Sequence, residues 1–326
     1  MSDPTISMVL GVYNGAEQLR ETIDSALAQT FRNHELILIN DGSTDPRVER
    51  VLAEYEGSDR RVRIIRKNNE GLTRALIDGC AAARGAYIAR MDVGDRMLPS
   101  RLERQKALLD AHPEAVLATC WTEFCGPEWE PLFTARTDGA EDAETDEWVA
   151  PFSGDGADGD RKFGPTHHGS VMFRREAYRR VGGYHAQFYY GQDWDLWYRL
   201  AGCGSFCGIS SVLYRCRIMA DGLSMQNVEL QRRIRACAYG AFLARSRGGD
   251  ETGFMQEAAR IRPSRKAEHG GHSARPAAAG WYFLGEALRR NRDMRCRRYF
   301  WRAIRSRPLD VRSWIRWGQS LWGAHP

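Results

Sequence analysis

Four acidic positions stand where a carboxylate needs a reason. Asp41 closes the apolar run "HELILIN" and opens "DGSTD". Asp92 and Asp95 end "AYIARMDVGD", and Asp193 sits in "GQDWDLWYRL" with Asp195 two residues on. A charged group at the end of a buried strand is costly unless something compensates it. A divalent cation bridging a diphosphate does so, because Mg2+ takes one or two protein carboxylates together with substrate phosphates. Asp95 could equally cap the helix that follows, but capping explains neither Asp92 nor the similar placement of Asp41. For Asp193 two readings stand. It is an acid at a favourable helix N-terminus, or a general base that Gly191 and Trp194 partly desolvate, which lifts its pKa. His167 and His168 precede "GSVMFRR". Such pairs more often pack or cap, but an imidazolium beside a diphosphate would offset leaving-group charge.

The elements that must hold these residues alternate. Ile6–Val12 reads as a strand, and the segment after it carries Leu19, Ile23, Ala26 and Leu27 at helical spacing. "HELILIN", "RVRIIRK", "AYIARMD" and "EAVLATCW" read as further strands, separated by helical stretches. This pattern predicts a doubly wound α/β sheet with parallel strands, whose ligands bind at the carboxyl ends of the strands. "VYN", "NDGSTD" and "MDVGD" all fall at such ends. The periodicity fails from Gly126 to Gly164, an acidic, Gly-rich loop region, and returns after it. From Leu223 onward the chain reads as helical and Arg-rich, broken by "PSRKAEHGGHSARP", a flexible linker near 263–276.

The 326 residues are 43% hydrophobic and 27% charged, an ordinary globular composition with net charge +5. The charge is unevenly placed. Met225 onward carries 21 Arg/Lys against 8 acids, and the preceding part 26 against 34. Eight scattered cysteines without paired zinc-ligand spacing read as reduced thiols of a cytoplasmic protein. No stretch approaches a membrane span, and the N-terminus lacks the basic and apolar regions of a signal peptide.

Seven segments together resemble the inverting, nucleotide-sugar-dependent glycosyltransferases of family 2, which have a GT-A fold. They are "ISMVLGVYNGAEQLRETIDSALAQTF", "ELILINDGSTD", "NNEGLTRALIDGCAAARGAYIARMDVGD", "RLERQ", "HHGSVMFRREAYRRVGGY", "GQDWDLWYRL" and "VLYRCR", in order over Ile6 to Arg217. The resemblance implies a Rossmann-like, mostly parallel sheet flanked by helices over residues 1–222, with a basic, Trp/Arg-rich helical extension over 223–326. Gly11, Val12, Tyr13, Asn14 and Asp41 would line the base site. Asn69 and Arg74 would approach the base and ribose, and Arg90, Asp92 and His168 would complete the donor site. Asp92 and Asp95 would hold Mg2+ or Mn2+, and Asp193 would be the catalytic base. The donor would be a nucleoside-diphosphate sugar, UDP or TDP favoured. The acceptor would be a glycan, lipid-linked glycan or other hydroxyl. The sequence departs from the family's usual pattern at four places: Gly94 replaces an Asp, Gln192 an acid, Gly11 a Pro and Ile77 an Asn.

Between Arg289 and Arg316 stand 11 arginines and two acids, interleaved with Tyr299, Phe300, Trp301, Trp314 and Trp317. This stretch reads as a peripheral helix pair on the anionic inner face of a membrane or as a protein-docking module. The acidic body argues against nucleic acid. Two alternatives to sugar transfer remain. A sugar nucleotidyltransferase would want a basic residue after the first strand, where "GVYNGAEQL" has none. A non-catalytic donor-binding protein would explain Gly94 and Gln192. A dehydrogenase is excluded by the missing G-x-G-x-x-G.

Overall fold

The computed structural model describes residues 3–137, 146–150, 152, 164–222, 228–262 and 274–321. The chain divides into two compact units. One comprises Met1–Thr122, Ala135–Cys216 and Arg233–Ile261, the other Glu123–Thr134, Arg217–Arg232 and Arg262–Pro326. Most of the expected linker, residues 263–273, lies outside the described residues, as does much of the irregular segment before Gly164.

In the first unit β1 (Ile6–Val12), α1 (Ala16–Leu27), β2 (His34–Asp41), α2 (Pro46–Ser58), β3 (Val62–Lys67), α3 (Leu72–Ala82) and β4 (Tyr87–Arg90) alternate. β1 is parallel to both β2 and β4, and β2 is parallel to β3. β1 and β2 are buried almost throughout, as strands covered on both faces must be. The pleat sorts their side chains. Met8, Leu10, Leu36 and Leu38 pack with Leu19, Ile23 and Leu52 of α1 and α2. Val9, Ile37 and Ile39 pack with Ala75, Leu76 and Cys80 of α3. A Cβ at Gly79 would stand 2.5 Å from Ile39 Cδ1 and 2.6 Å from Val9 Cγ1, so only glycine lets α3 lie this close to the sheet. Asp45 accepts the Arg47 N–H at 2.9 Å and Pro46 opens α2, a cap worth about 1 kcal/mol.

β5 (Arg96–Met97), α4 (Arg101–Ala111), β6 (Ala115–Cys125), β7 (Pro131–Ala135), β8 (Glu147–Ala150), β9 (Met172–Arg174), α5 (Arg175–Arg180), α6 (Gln192–Ala201) and β10 (Ser205–Arg217) follow. The strand order is β3-β2-β1-β4-β9-β6-β10-β5, with β7 beside β6 and β8 beside β10. The parallel run spans β3, β2, β1 and β4, and the mostly parallel, helix-flanked sheet is the one expected. β9 enters antiparallel between β4 and β6. "RLERQ" in α4 fastens this junction. Buried Arg101 donates to Arg90 O at 3.0 Å and Val171 O at 2.9 Å, and Gln105 donates to Ser170 O at 2.8 Å.

Helices α7 (Val228–Ser246), α8 (Thr252–Arg260), α9 (Ala274–Arg290), α10 (Cys296–Ser306) and α11 (Val311–Leu321) complete the chain. In the second unit Leu284, Leu288, Tyr299 and Phe300 form a core with Leu132 and Ala220. Buried Glu130 accepts from the Tyr299 hydroxyl and from Arg298 Nη2. None of the eight cysteines is in a disulfide. Among the described residues no helix is long and apolar enough to cross a membrane.

Candidate active site

Because β1, β2 and β4 are parallel, the segments after Val12, Asn40 and Arg90 leave from one edge of the sheet. Asp41 is buried there, and its two oxygens accept the Glu70 N–H at 3.0 Å and the Gly71 N–H at 2.8 Å. Asn69 donates to Asp41 O at 2.9 Å. Asn14, at φ 58, ties β1 to the same loop. Its Oδ1 accepts from Thr44 N at 2.9 Å and Asp45 N at 3.0 Å, and its N–H donates to Ser43 Oγ at 2.9 Å. Asp41, Asn69 and Asn14 thus form one hydrogen-bonded group. Val12 is buried, while Tyr13 is 47% exposed. A Cβ at Gly11 would stand 2.8 Å from Cδ1 of the exposed Leu72, which can swing aside. Arg74 is exposed in the first turn of α3.

Two strands along, Asp92 is set by a residue behind it. Arg90 is fully buried. It donates to Val9 O at 2.6 Å, Met91 O at 2.8 Å and Asp92 Oδ1 at 2.6 Å, and Nε donates to His168 Nε2 at 3.4 Å. Arg90, expected among the donor-binding residues, is fully buried and holds Asp92 through its guanidinium. Burial alone would push Asp92 up, but the charge of Arg90 outweighs it and holds this carboxyl at about 2. Burial first, and then Arg90, push His168 well below its ordinary value, and burial lowers His167 too. His168 is a neutral ring that meets the Tyr184 hydroxyl at 2.7 Å.

Asp193 opens α6, whose cap Gly191 is left-handed at φ 65. Burial, helped by the negative charge of Asp92, raises Asp193 to about 6. The N–H groups of Trp194 and Asp193 itself, and the charge of Arg90, oppose the shift. The neighbouring acid is committed elsewhere. Asp195 is fully buried, and its Oδ2 accepts from Arg199 at 2.5 and 3.1 Å and lies 3.1 Å from His185 Nδ1. Asp193 and Asp92 therefore share one electrostatic environment in which their pKa values are pushed apart, the pattern that separates an acid or base from a permanently charged group.

Asp95 is buried, accepts from the Tyr214 hydroxyl at 2.8 Å, and shares that hydroxyl with Asp92, whose N–H donates to it at 3.1 Å. Asp95, His167 and Cys216 each offer a ligand atom within 4.8 Å of the others, and Asp92 is not in this group; His167 Nδ1 is already taken by the Gly169 N–H at 3.0 Å. Asp92, Asp95, Asp193 and His168 are thus brought together through Arg90, Tyr184 and Tyr214. The Asp41, Asn69 and Asn14 group lies on the same sheet edge. Sequence reasoning passed over Tyr184, Tyr214, His185 and Cys216. Tyr184 and Tyr214 stood inside quoted segments, but nothing local marked them as bridges.

The fold is that of an α/β protein with acids gathered at one sheet edge, and residues 7–182 match Glycosyl transferase family 2. The chain belongs to that family and is a glycosyltransferase. It is 34% identical over 233 residues to EpsE of Bacillus subtilis, whose name describes a glycosyltransferase; the match covers 69% of this chain and 77% of that one. An uncharacterized glycosyltransferase of Rickettsia prowazekii is 29% identical over 67% of this chain and 65% of its own. The chondroitin synthase of Pasteurella multocida is 27% identical over 71% of this chain but only 22% of its own length.

Proposed function

We propose that this chain moves a sugar from a nucleoside-diphosphate donor to an acceptor hydroxyl in one displacement that inverts the anomeric carbon. The supporting observation is the pair of carboxyls, Asp193 raised to about 6 and Asp92 held at about 2, acting on each other at the mouth of a strand edge. In this reading the acceptor proton passes to Asp193 as its oxygen bonds to the anomeric carbon, and the bond to the diphosphate oxygen breaks on the opposite face. Asp41, Asn69, Asn14 and Tyr13 hold the base and ribose, with Arg74 beside them. Asp92 contacts the ribose. Asp92 and Asp95 would hold a divalent cation, which would supply charge to offset that of the departing diphosphate.

UDP or TDP is the favoured nucleotide, and the product belongs to a cell-surface polysaccharide or glycoconjugate. The reading is tested by thermal shift of the full chain with UDP-, TDP-, GDP- and CDP-sugars, with and without Mg2+ or Mn2+. A ligand that binds only the native state raises its midpoint. A rise with UDP or TDP donors, and release of nucleoside diphosphate rather than pyrophosphate on turnover, is the expected result. No response to any nucleotide overturns it.

The second unit favours an anionic membrane surface as the place of work. Trp301, Trp314 and Trp317 cluster with ring centroids 5.7 to 6.2 Å apart. Trp301 and Trp314 are each 43% exposed. Arg302, Arg305, Arg307 and Arg312 are exposed beside them, paired with no carboxylate among the described residues. Co-sedimentation should show binding to phosphatidylglycerol vesicles that weakens with salt and with Trp314→Ala, and none to phosphatidylcholine. Equal partition to both would exclude this role.

A further inference from the structure

We propose that Thr73 is a positioning residue: its hydroxyl, bonded to the Phe188 carbonyl, ties the segment that leads into Asp193 to the loop that holds the Asp41 carboxylate. The catalytic meaning of this tie rests on the transferase reading above, but the tie itself does not.

The two sides it joins are distant in the chain. On one side Asp41 accepts the Gly71 N–H at 2.8 Å, and Gly71 caps α3. Thr73, two residues on and buried, donates from Oγ1 to Phe188 O at 2.6 Å. Gly71 has φ 91, and a Cβ there would stand 3.0 Å from Tyr189 Cε2, so the Tyr189 ring lies over it. Thr73 meets Phe188 and Gly71 meets Tyr189. Two such contacts fix a direction as well as a distance.

On the other side the segment is folded back on α6. Phe188 is fully buried, and its N–H donates to His185 O at 3.1 Å. His185 Nδ1 lies 3.1 Å from Asp195 Oδ2 in the first turn of α6. Gly191, the left-handed cap of that helix, sits against α7, where a Cβ would meet Ile234 Cγ2 at 3.0 Å. Moving Phe188 therefore moves the start of α6, where Asp193 stands. A displacement needs its reacting atoms aligned at about 3–3.5 Å, and an error of about 1 Å costs on the order of 10²-fold. Thr73 supplies that alignment between a donor held at Asp41 and a base held at Asp193. Valine has nearly the same shape but no proton to donate, and would leave a buried carbonyl unpaired.

The test compares the full chain as wild type, Thr73→Val and Thr73→Ser at a temperature where each is folded. Thr73→Val should lower kcat for nucleoside-diphosphate release about 10- to 100-fold while the donor KM changes less than about threefold, and Thr73→Ser should recover most of kcat. Amide exchange should quicken across residues 184–193 of Thr73→Val and stay unchanged in β2 and β3. A measurement on wild type needs no variant to fold. Whichever of UDP, TDP, GDP or CDP raises the melting midpoint should slow exchange across residues 69–73 and 184–193 together. A wild-type kcat in Thr73→Val, a loss that serine does not recover, or slowing confined to 69–73 overturns the proposal. If Asp193→Asn loses transfer and Thr73→Val does not, the tie falls and the base reading stands. If Asp193→Asn keeps full transfer, the base reading falls, and faster exchange across 184–193 in Thr73→Val still upholds the tie.

Discussion

Asp193→Asn should lose transfer by about 10²- to 10⁴-fold, the contribution of a positioned general base, and at neutral pH it should also make the protein more stable. The two effects have one cause. Burial raises the folded-state pKa of Asp193 from an ordinary 3.8 to about 6. Between those values the folded state binds the proton that the unfolded chain has released, so stability falls as pH rises through this window. Above it the full penalty remains, about 1–3 kcal/mol on the scale of 1.36 kcal/mol per pH unit. Asparagine carries no charge to bury. Its melting temperature should exceed that of wild type at pH 7 and match it near pH 3. Wild-type transfer should climb with pH through about 6 and level off above 7, a limb absent from the residual activity of the variant. Nucleotide binding by thermal shift should survive. If Asp193 is merely a favourable acid at a helix N-terminus, the substitution lowers stability and spares transfer, the opposite of both expectations.

Arg90→Met should be among the most damaging single substitutions in the first unit, at about 3–5 kcal/mol. Arg90 is fully buried while Asp92 keeps a 29% exposed side chain, so the cost falls mainly on the space and the hydrogen bonds that Arg90 leaves behind. Here Val9 O and Met91 O also lose their donors. Asp92 would lose the charge that holds it at about 2, so burial would push its carboxyl upward. Urea unfolding should show a large fall in midpoint with little change in slope, and the Arg90→Met/Asp92→Asn pair should recover part of it. A single variant within about 1 kcal/mol of wild type would mean that Arg90 does not organise the site.

The contrast between these residues shows what a sequence can and cannot convey. The alternation from β1 to β4 was readable because long apolar runs such as "HELILIN" are separated by segments of helical period, and turn chemistry placed Asp41 and Asp92 at strand ends. The entry of β9 was not. Three residues, "MFR", preceded by "GSV" and followed by Arg175, carry no period that distinguishes a central strand from a loop. The fates of Asp193 and Asp195 were equally hidden. Their local sequence is symmetrical, and the difference comes from Arg199 one helical turn on and His185 in a preceding loop. Arg90 read as a donor-site cation because an arginine ending a strand is usually solvated. Its burial depends on carbonyls of β1 and on His168, contacts 78 to 81 residues away in the chain.

The turn at Gly94 makes one departure from the usual family pattern hard to reverse. Its φ of 98° lies where side-chain-bearing residues rarely go, although only Gln18 Cβ, at 4.0 Å, stands near the place a Cβ would take. An aspartate written back at this position would find room but not a relaxed backbone, at a strain on the order of 1–2 kcal/mol. An acid at this position therefore needs the loop to change its path first, so the limit on position 94 is set by the backbone and not by space.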